Sequence, residues 1–277
     1  MSISRTLTAT ALSAAALVLA TSAVPAAQAS TTSPAPSAER AARAHVVEAA
    51  VNRAAVAQGR WVVVHGIVRS GERGDRVGLQ VRYPGGTWRQ TGLTDRLDRR
   101  GRFAIADRIG TGRTRAYRVV KPAGDGRRAG RSKPVRVTVY SWRDLSSFPS
   151  VTRQDTWDGR DVKINAVAYP GSVVADSRAA SGSIAYNLER RCRQFETRVG
   201  VADTSAETAT GRASLKLDGT ERFTGSYTLT RSTTLALALD DVFRLTFDWT
   251  STNSAGTPED QSGAHVALGS PRVLCHD

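Results

Sequence analysis

Sulfur and histidine are scarce in this chain. Two cysteines in 277 residues are too few for a disulfide-stapled miniprotein, or for a zinc site of three or four thiolates. His45, His65, His265 and His276 stand too far apart for the close ligand pairs of common metal motifs. Only 6% of the residues are aromatic, yet 40% are apolar and 23% charged, so an ordinary core can form and neither a disordered tail nor a membrane bundle is expected. Lysine is nearly missing too. Four lysines accompany 35 arginines, which speaks for a compositional bias toward arginine as much as for a selected basic face. No nucleophile elbow, histidine pair with a glutamate or phosphate-cradling glycine loop is found, and no catalytic function is expected. An accessory hydrolase is the third reading, behind the two below.

What is present begins with an export signal. Arg5 precedes a stretch of Ala, Leu and Val over residues 9–20, followed by Ala27-Gln28-Ala29 and a polar run from Ser30, so residues 1–29 read as a signal peptide. Thr21, Ser22 and Pro25 interrupt the stretch before it reaches the roughly 20 residues of a membrane span. The mature protein is expected to be secreted, extracellular or cell-wall associated, with no integral membrane segment. In that oxidising setting Cys192 and Cys275 are expected to form one bridge. Residues 30–50 read as a flexible leader, whose Ala-rich end from Ala38 leaves a frayed helix and an incoming strand both open.

Charge divides the remainder. Residues 30–150 hold 24 basic against 9 acidic side chains, and residues 151–277 hold 14 against 16. The arginines are scattered through strands and turns without a recognition helix or an aromatic stacking run, so no nucleic-acid partner is expected. The alternative reading is a structural or adhesive cell-surface protein whose basic first domain contacts anionic envelope polymers.

Hydropathy alternates with a period of two throughout. Val77, Leu79 and Val81 alternate with polar neighbours, as do Val135, Val137 and Val139, and glycine-bearing turns recur at the short spacing of an antiparallel sandwich. Residues 51–140, through Gly59, the Val77-Gly78-Leu79-Gln80 run, Trp88, Gly101-Arg102-Phe103 and Tyr117-Arg118-Val119, resemble the immunoglobulin-like and fibronectin-like modules of exported bacterial proteins. Trp61 and Trp88 are expected to pack between its sheets, with sugar stacking as the rival reading. Residues 142–161 read as a linker and loop. Strands then follow at residues 164–169, 183–188, 193–201, 213–218, 226–230, 235–239, 243–249 and 264–275, about the number of a jelly roll.

The second half carries a more specific resemblance. Ser183-Ile184-Ala185-Tyr186-Asn187-Leu188, Phe195, Val199-Gly200-Val201-Ala202-Asp203 and Leu215-Lys216-Leu217-Asp218-Gly219 resemble, in order, motifs of the NPCBM family, carbohydrate-binding modules attached to many secreted glycosidases. The resemblance implies that residues 141–277 form a galactose-binding-domain-like jelly roll that binds a glycan or cell-wall polysaccharide. Its closure would bring Cys192 beside Cys275. The histidine-containing stretch that many members carry before the Tyr-x-Leu strand is replaced here by residues 171–182 without histidine. The fold class is therefore all-β: a signal peptide, an Ig-like sandwich and a jelly-roll sandwich.

A sugar site needs an aromatic face and polar groups at a loop-lined end. Trp157, Tyr169 and Trp249 are the candidate platforms, and Asp158, Asp176, Arg178 and Asn253 the candidate polar partners. Trp249 also finishes the alternation that starts at Phe243, which would make it a core ring. Asp155, Asp158 and Asp161, and the pair Asp240 and Asp241, admit a structural calcium reading, but solvated carboxylates are expected and no metal or cofactor is assigned. Asp203 and Asp218 are expected to hold turns by bonding backbone amides.

Overall fold

A computed structural model describes residues 42–176, 178–252 and 263–277. The signal peptide, most of the leader and Asn253 lie outside the described residues. The first strands are β1 (Val47–Val51), β2 (Ala55–Ala57), β3 (Trp61–Val68), β4 (Arg76–Arg82), β5 (Arg89–Arg96), β6 (Arg102–Arg108), β7 (Arg115–Lys121), β8 (Gly130–Arg131) and β9 (Val135–Asp144). After a 3-10 turn at Leu145–Ser147 come β10 (Ser150–Gln154), β11 (Thr156–Ile164), β12 (Val167–Ala175), β13 (Ser181–Asn187), β14 (Cys192–Val201), β15 (Thr210–Leu217), β16 (Thr220–Tyr227), β17 (Ser232–Ala238), β18 (Arg244–Thr252) and β19 (Val266–Cys275).

The first sandwich packs the sheet β1-β3-β6 on the sheet β9-β7-β4-β5. Strand β2 runs parallel to β9, as the split first strand of an Ig-like sandwich does. Alternation decides the faces. Along β7, Tyr117 and Val119 are fully buried while Ala116, Arg118 and Val120 face outward, and Val62, Val64, Val77, Leu79, Val137 and Val139 complete the core. The described end of the Ala-rich stretch enters a strand, since β1 pairs with β3 from Val47 to Val51. Trp61 and Trp88 do not fill the space between the sheets. Trp61 is 58% exposed, and Trp88 is half-buried with guanidinium groups over its ring. Val, Ile and Leu side chains, with Phe103 and Tyr117, already occupy the interior positions.

The second sandwich packs β11-β12-β19-β14-β17 on β10-β13-β18-β15-β16, all antiparallel, around Phe195, Phe247, Trp249, Tyr186 and Leu215. Cys192 and Cys275 face each other across β14 and β19 and are joined, tying an early strand to the last one. Residues 142–161 are no linker. Strand β9 pairs with β2 up to Tyr140 and with β19 from Ser141, so one continuous strand serves both sandwiches.

The strand expected at residues 164–169 is interrupted by a tight hairpin turn. Asn165 and Ala166 both adopt positive φ, 53° and 66°, between β11 and β12. The Asp203 carboxylate accepts both of their amide N–H groups at 2.8 Å, and Asp218 likewise accepts from the amides of Phe243 and Arg244. Two turns are thus closed by remote carboxylates. Alanine pays a steric cost in the left-handed region that glycine does not. Ala166→Gly is expected to stabilise the protein by about 0.5 to 1 kcal/mol, raising Tm by roughly 1 to 4 °C in a thermal melt.

Candidate functional site

Strands β11 and β12 carry the best candidate to one end of the jelly roll. Thr156 points inward and is buried, so alternation turns the next residue, Trp157, out to solvent at 42% exposure. Trp249 fixes that register from below. Its ring is only 2% exposed in the core, and its indole N–H donates to Thr156 Oγ1 at 2.8 Å. Trp249 is therefore a core ring and no platform. Gly182 opposes it across the sheet, and a β-carbon there would stand 2.7 Å from the ring.

Past Trp157 the ladder bulges at Gly159, φ 67°, and the bulge carries Arg160 back over the indole, 5.2 Å from the ring centroid. Trp157 pairs with Val174, two residues before Asp176 at the end of β12. The Asp176 backbone N–H donates to the Asp155 carbonyl at 2.8 Å, which anchors the loop. Its carboxylate receives the Arg178 guanidinium at 3.2 Å and the Arg178 backbone N–H at 3.1 Å. These contacts, with a smaller one from the Trp157 indole, hold the Asp176 carboxyl below the usual carboxylate range, against the opposing effect of burial. Asp176 stays ionised and fixed as an acceptor.

His265, just before β19, is a member that the sequence gave no reason to include. It is half-buried, its Nδ1 lies 3.4 Å from Thr204 Oγ1, and its amide N–H donates to Ser205 Oγ. Burial pushes the imidazole pKa down, and the nearby Asp176 charge opposes that only in part. Arg160 is the other addition. Only the glycine bulge could have signalled it.

The remaining expected members are elsewhere. Tyr169 lies near the start of β12, about 20 Å from Asp176 at roughly 3.3 Å per residue, so it cannot share this site. Its ring lies over Gly269 and borders a shallow recess of about 270 Å³ with Glu196, Arg198, Thr234, Ser270 and Arg272. Asp158 is engaged by Arg153 at 2.9 Å and by the buried Tyr186 hydroxyl at 3.3 Å; burial raises the tyrosine pKa, the Asp158 charge and hydrogen bond add to that, and Arg153 opposes it. Asp161 accepts from the Gly171 amide, and Asp241 pairs with Arg190. Among the described residues, no three His, Cys, Asp or Glu side chains converge as a metal site.

A jelly roll with an outward tryptophan and a fixed carboxylate between strand ends has the architecture of a ligand-binding module. Residues 135–262, beginning at the first residue of β9, match the model of the NPCBM/NEW2 domain, so the C-terminal sandwich is NPCBM-like. Among solved structures, CBM51 from Clostridium perfringens GH95, in complex with methyl-galactose, is 17% identical with a TM-score of 0.40, covering 48% of this chain and 99% of that one. The M60 catalytic domain with the CBM51-1 and CBM51-2 domains from Clostridium perfringens ZmpB is 11% identical with a TM-score of 0.41. It covers 84% of this chain, which spans only 31% of that one. A CBM36-1 domain of a multidomain xylanase from the hindgut metagenome of Trinervitermes trinervoides is 14% identical with a TM-score of 0.27, covering 48% of this chain and 95% of that one. No curated protein matches the chain.

Proposed function

We infer that this is an exported, non-catalytic protein that binds extracellular or cell-wall carbohydrate at the Trp157 end of its C-terminal sandwich. The observation that carries the reading is the exposed Trp157 ring beside the Asp176 carboxylate, which Arg178 holds in place. An indole face covers the apolar side of a pyranose, while a fixed carboxylate accepts hydrogen bonds from its hydroxyls. Arg160 over the ring and the half-buried His265 supply further donors around the same spot. The match of residues 135–262 to the NPCBM/NEW2 model supports the same reading.

A neutral-glycan array probed with the full chain tests it. Binding is expected to persist in high salt, because stacking and neutral hydrogen bonds are little screened. Trp157→Ala is expected to weaken binding to the array's best ligand by about tenfold or more with Tm unchanged. An unaltered affinity in that variant removes Trp157 from the site, and turnover of any polysaccharide by the chain contradicts the non-catalytic reading.

A further inference from the structure

The N-terminal sandwich presents a second surface of a different chemistry. The β4–β5 connection turns at Tyr83-Pro84-Gly85-Gly86, where the Gly86 N–H donates to the Tyr83 carbonyl and Gly85 takes φ 70°. This turn walls a recess of about 610 Å³, whose floor and sides include Arg82, Tyr83, Arg115 and Arg136. The volume lies within the range of small-molecule sites. Its character is cationic.

Arg115 is 5% exposed. Its guanidinium donates to the carbonyls of Arg113 and Thr111 and to the Thr111 hydroxyl, all neutral acceptors, at 2.8 to 3.2 Å. Among the described residues, none of Arg82, Arg113, Arg115, Arg118, Arg131 or Arg136 forms an ion pair with a carboxylate. A nearly buried guanidinium held only by neutral acceptors favours a counter-charge from outside. Arg118 extends the charge beyond the recess along the sheet. Burial and the neighbouring charges of Arg131 and Arg82 push its pKa below the ordinary value.

The aromatic rings on this face are already occupied. Arg82 and Arg118 lie 4.8 and 4.3 Å from the Trp88 centroid, and Arg113 and Arg115 lie 4.8 and 5.2 Å from that of Tyr83. Each of these rings supports two guanidinium groups, against the one over Trp157, and so leaves less face for a base or a pyranose to stack upon. What remains for a ligand is a set of planar forks, which match oxyanions two bonds at a time. The row of cations runs past the recess, so an extended polyanion fits better than a single small ion. We propose that this face of the N-terminal sandwich binds an acidic polysaccharide, with the carboxylate or sulfate groups of the polymer seated on Arg82, Arg115 and Arg136.

The site is independent of the Trp157 reading. The test uses the full chain with polygalacturonate, dextran sulfate and neutral dextran as probes, and single-stranded DNA as competitor. Binding to at least one acidic polymer is expected in about 0.05 M salt and its loss by about 0.5 M, with none to dextran at this face. Preference between the two acidic polymers at equal charge tells carboxylate from sulfate ester. Arg82→Gln with Arg136→Gln is expected to weaken binding about tenfold, while Arg82→Lys with Arg136→Lys retains an intermediate affinity. All four positions altered here and in the control below are solvent-exposed, and Tm checks that each variant folds. The control Arg222→Gln with Arg231→Gln removes the same charge elsewhere and is expected to change little. Equal losses in the two glutamine pairs, no binding to either acidic polymer, or tighter binding of DNA than of both would overturn the proposal.

Discussion

Replacing Cys192 and Cys275 by alanine is expected to lower the unfolding free energy by about 4 to 5 kcal/mol, the largest effect of any change considered for this chain. The bridge spans 83 residues of sequence, and the entropy it removes from the unfolded chain grows with the logarithm of that span. Both cysteines are 2% exposed and sit opposite each other in the β14–β19 ladder, so the native strands already hold them in place. Release of the cross-link therefore acts mainly on the unfolded ensemble, and the folded alanine variant keeps its β-sheet spectrum. Urea titrations of the oxidised protein and the double variant measure the difference. A loss below about 1 kcal/mol would mean that the unfolded chain stays compact without the bridge.

Trp249→Ala is expected to cost about 3 to 5 kcal/mol, the range for truncating a large buried ring that leaves a cavity behind. The loss has two parts: the ring packs over Gly182 on the neighbouring strand, and its N–H satisfies the buried Thr156 hydroxyl. Thr156→Val keeps the ring's packing while deleting this bond and the hydroxyl's own bond to the Gln154 carbonyl, and is expected to cost less. Trp157→Ala, one residue along β11 from Thr156, is expected to leave the urea midpoint nearly unchanged because its ring is 42% exposed. A large stability loss in Trp157→Ala together with a small one in Trp249→Ala would invert the assignment of core and surface at this end of the sandwich.

Much of the fold was legible because a strand with one dry face writes its geometry in every second residue. Phe195, Val199 and Val201 alternate in sequence and are buried together, and the cysteine pair, expected from an oxidising exterior, is joined. The hairpin at Asn165 and Ala166 was not legible. Residues 164–169 contain no glycine or proline before Pro170, and the carboxylate that stabilises the turn comes from Asp203, far along the chain. Trp61 and Trp88 misled for related reasons: Trp61 begins β3 but faces outward, and Trp88 precedes β5, where arginine covers its ring as a core does. At the candidate site, Trp157, Asp176 and Arg178 were found from their residue types near loops. Tyr169 was separated from them by the length of β12, and Arg160 and His265 were brought in by a bulge and a distant strand end.

Strand β9 has a mechanical consequence. Modules strung on flexible tethers explore many mutual orientations, and a polymer that engages two of them gains according to the effective concentration that the tether allows. Here one uninterrupted backbone hydrogen-bonds into both sandwiches, with the handover between Tyr140 and Ser141. On the two proposals above, a saccharide at Trp157 and an acidic polymer on the N-terminal face would be held at a fixed span, and only chains whose own stiffness and repeat match it would be gripped at two points at once.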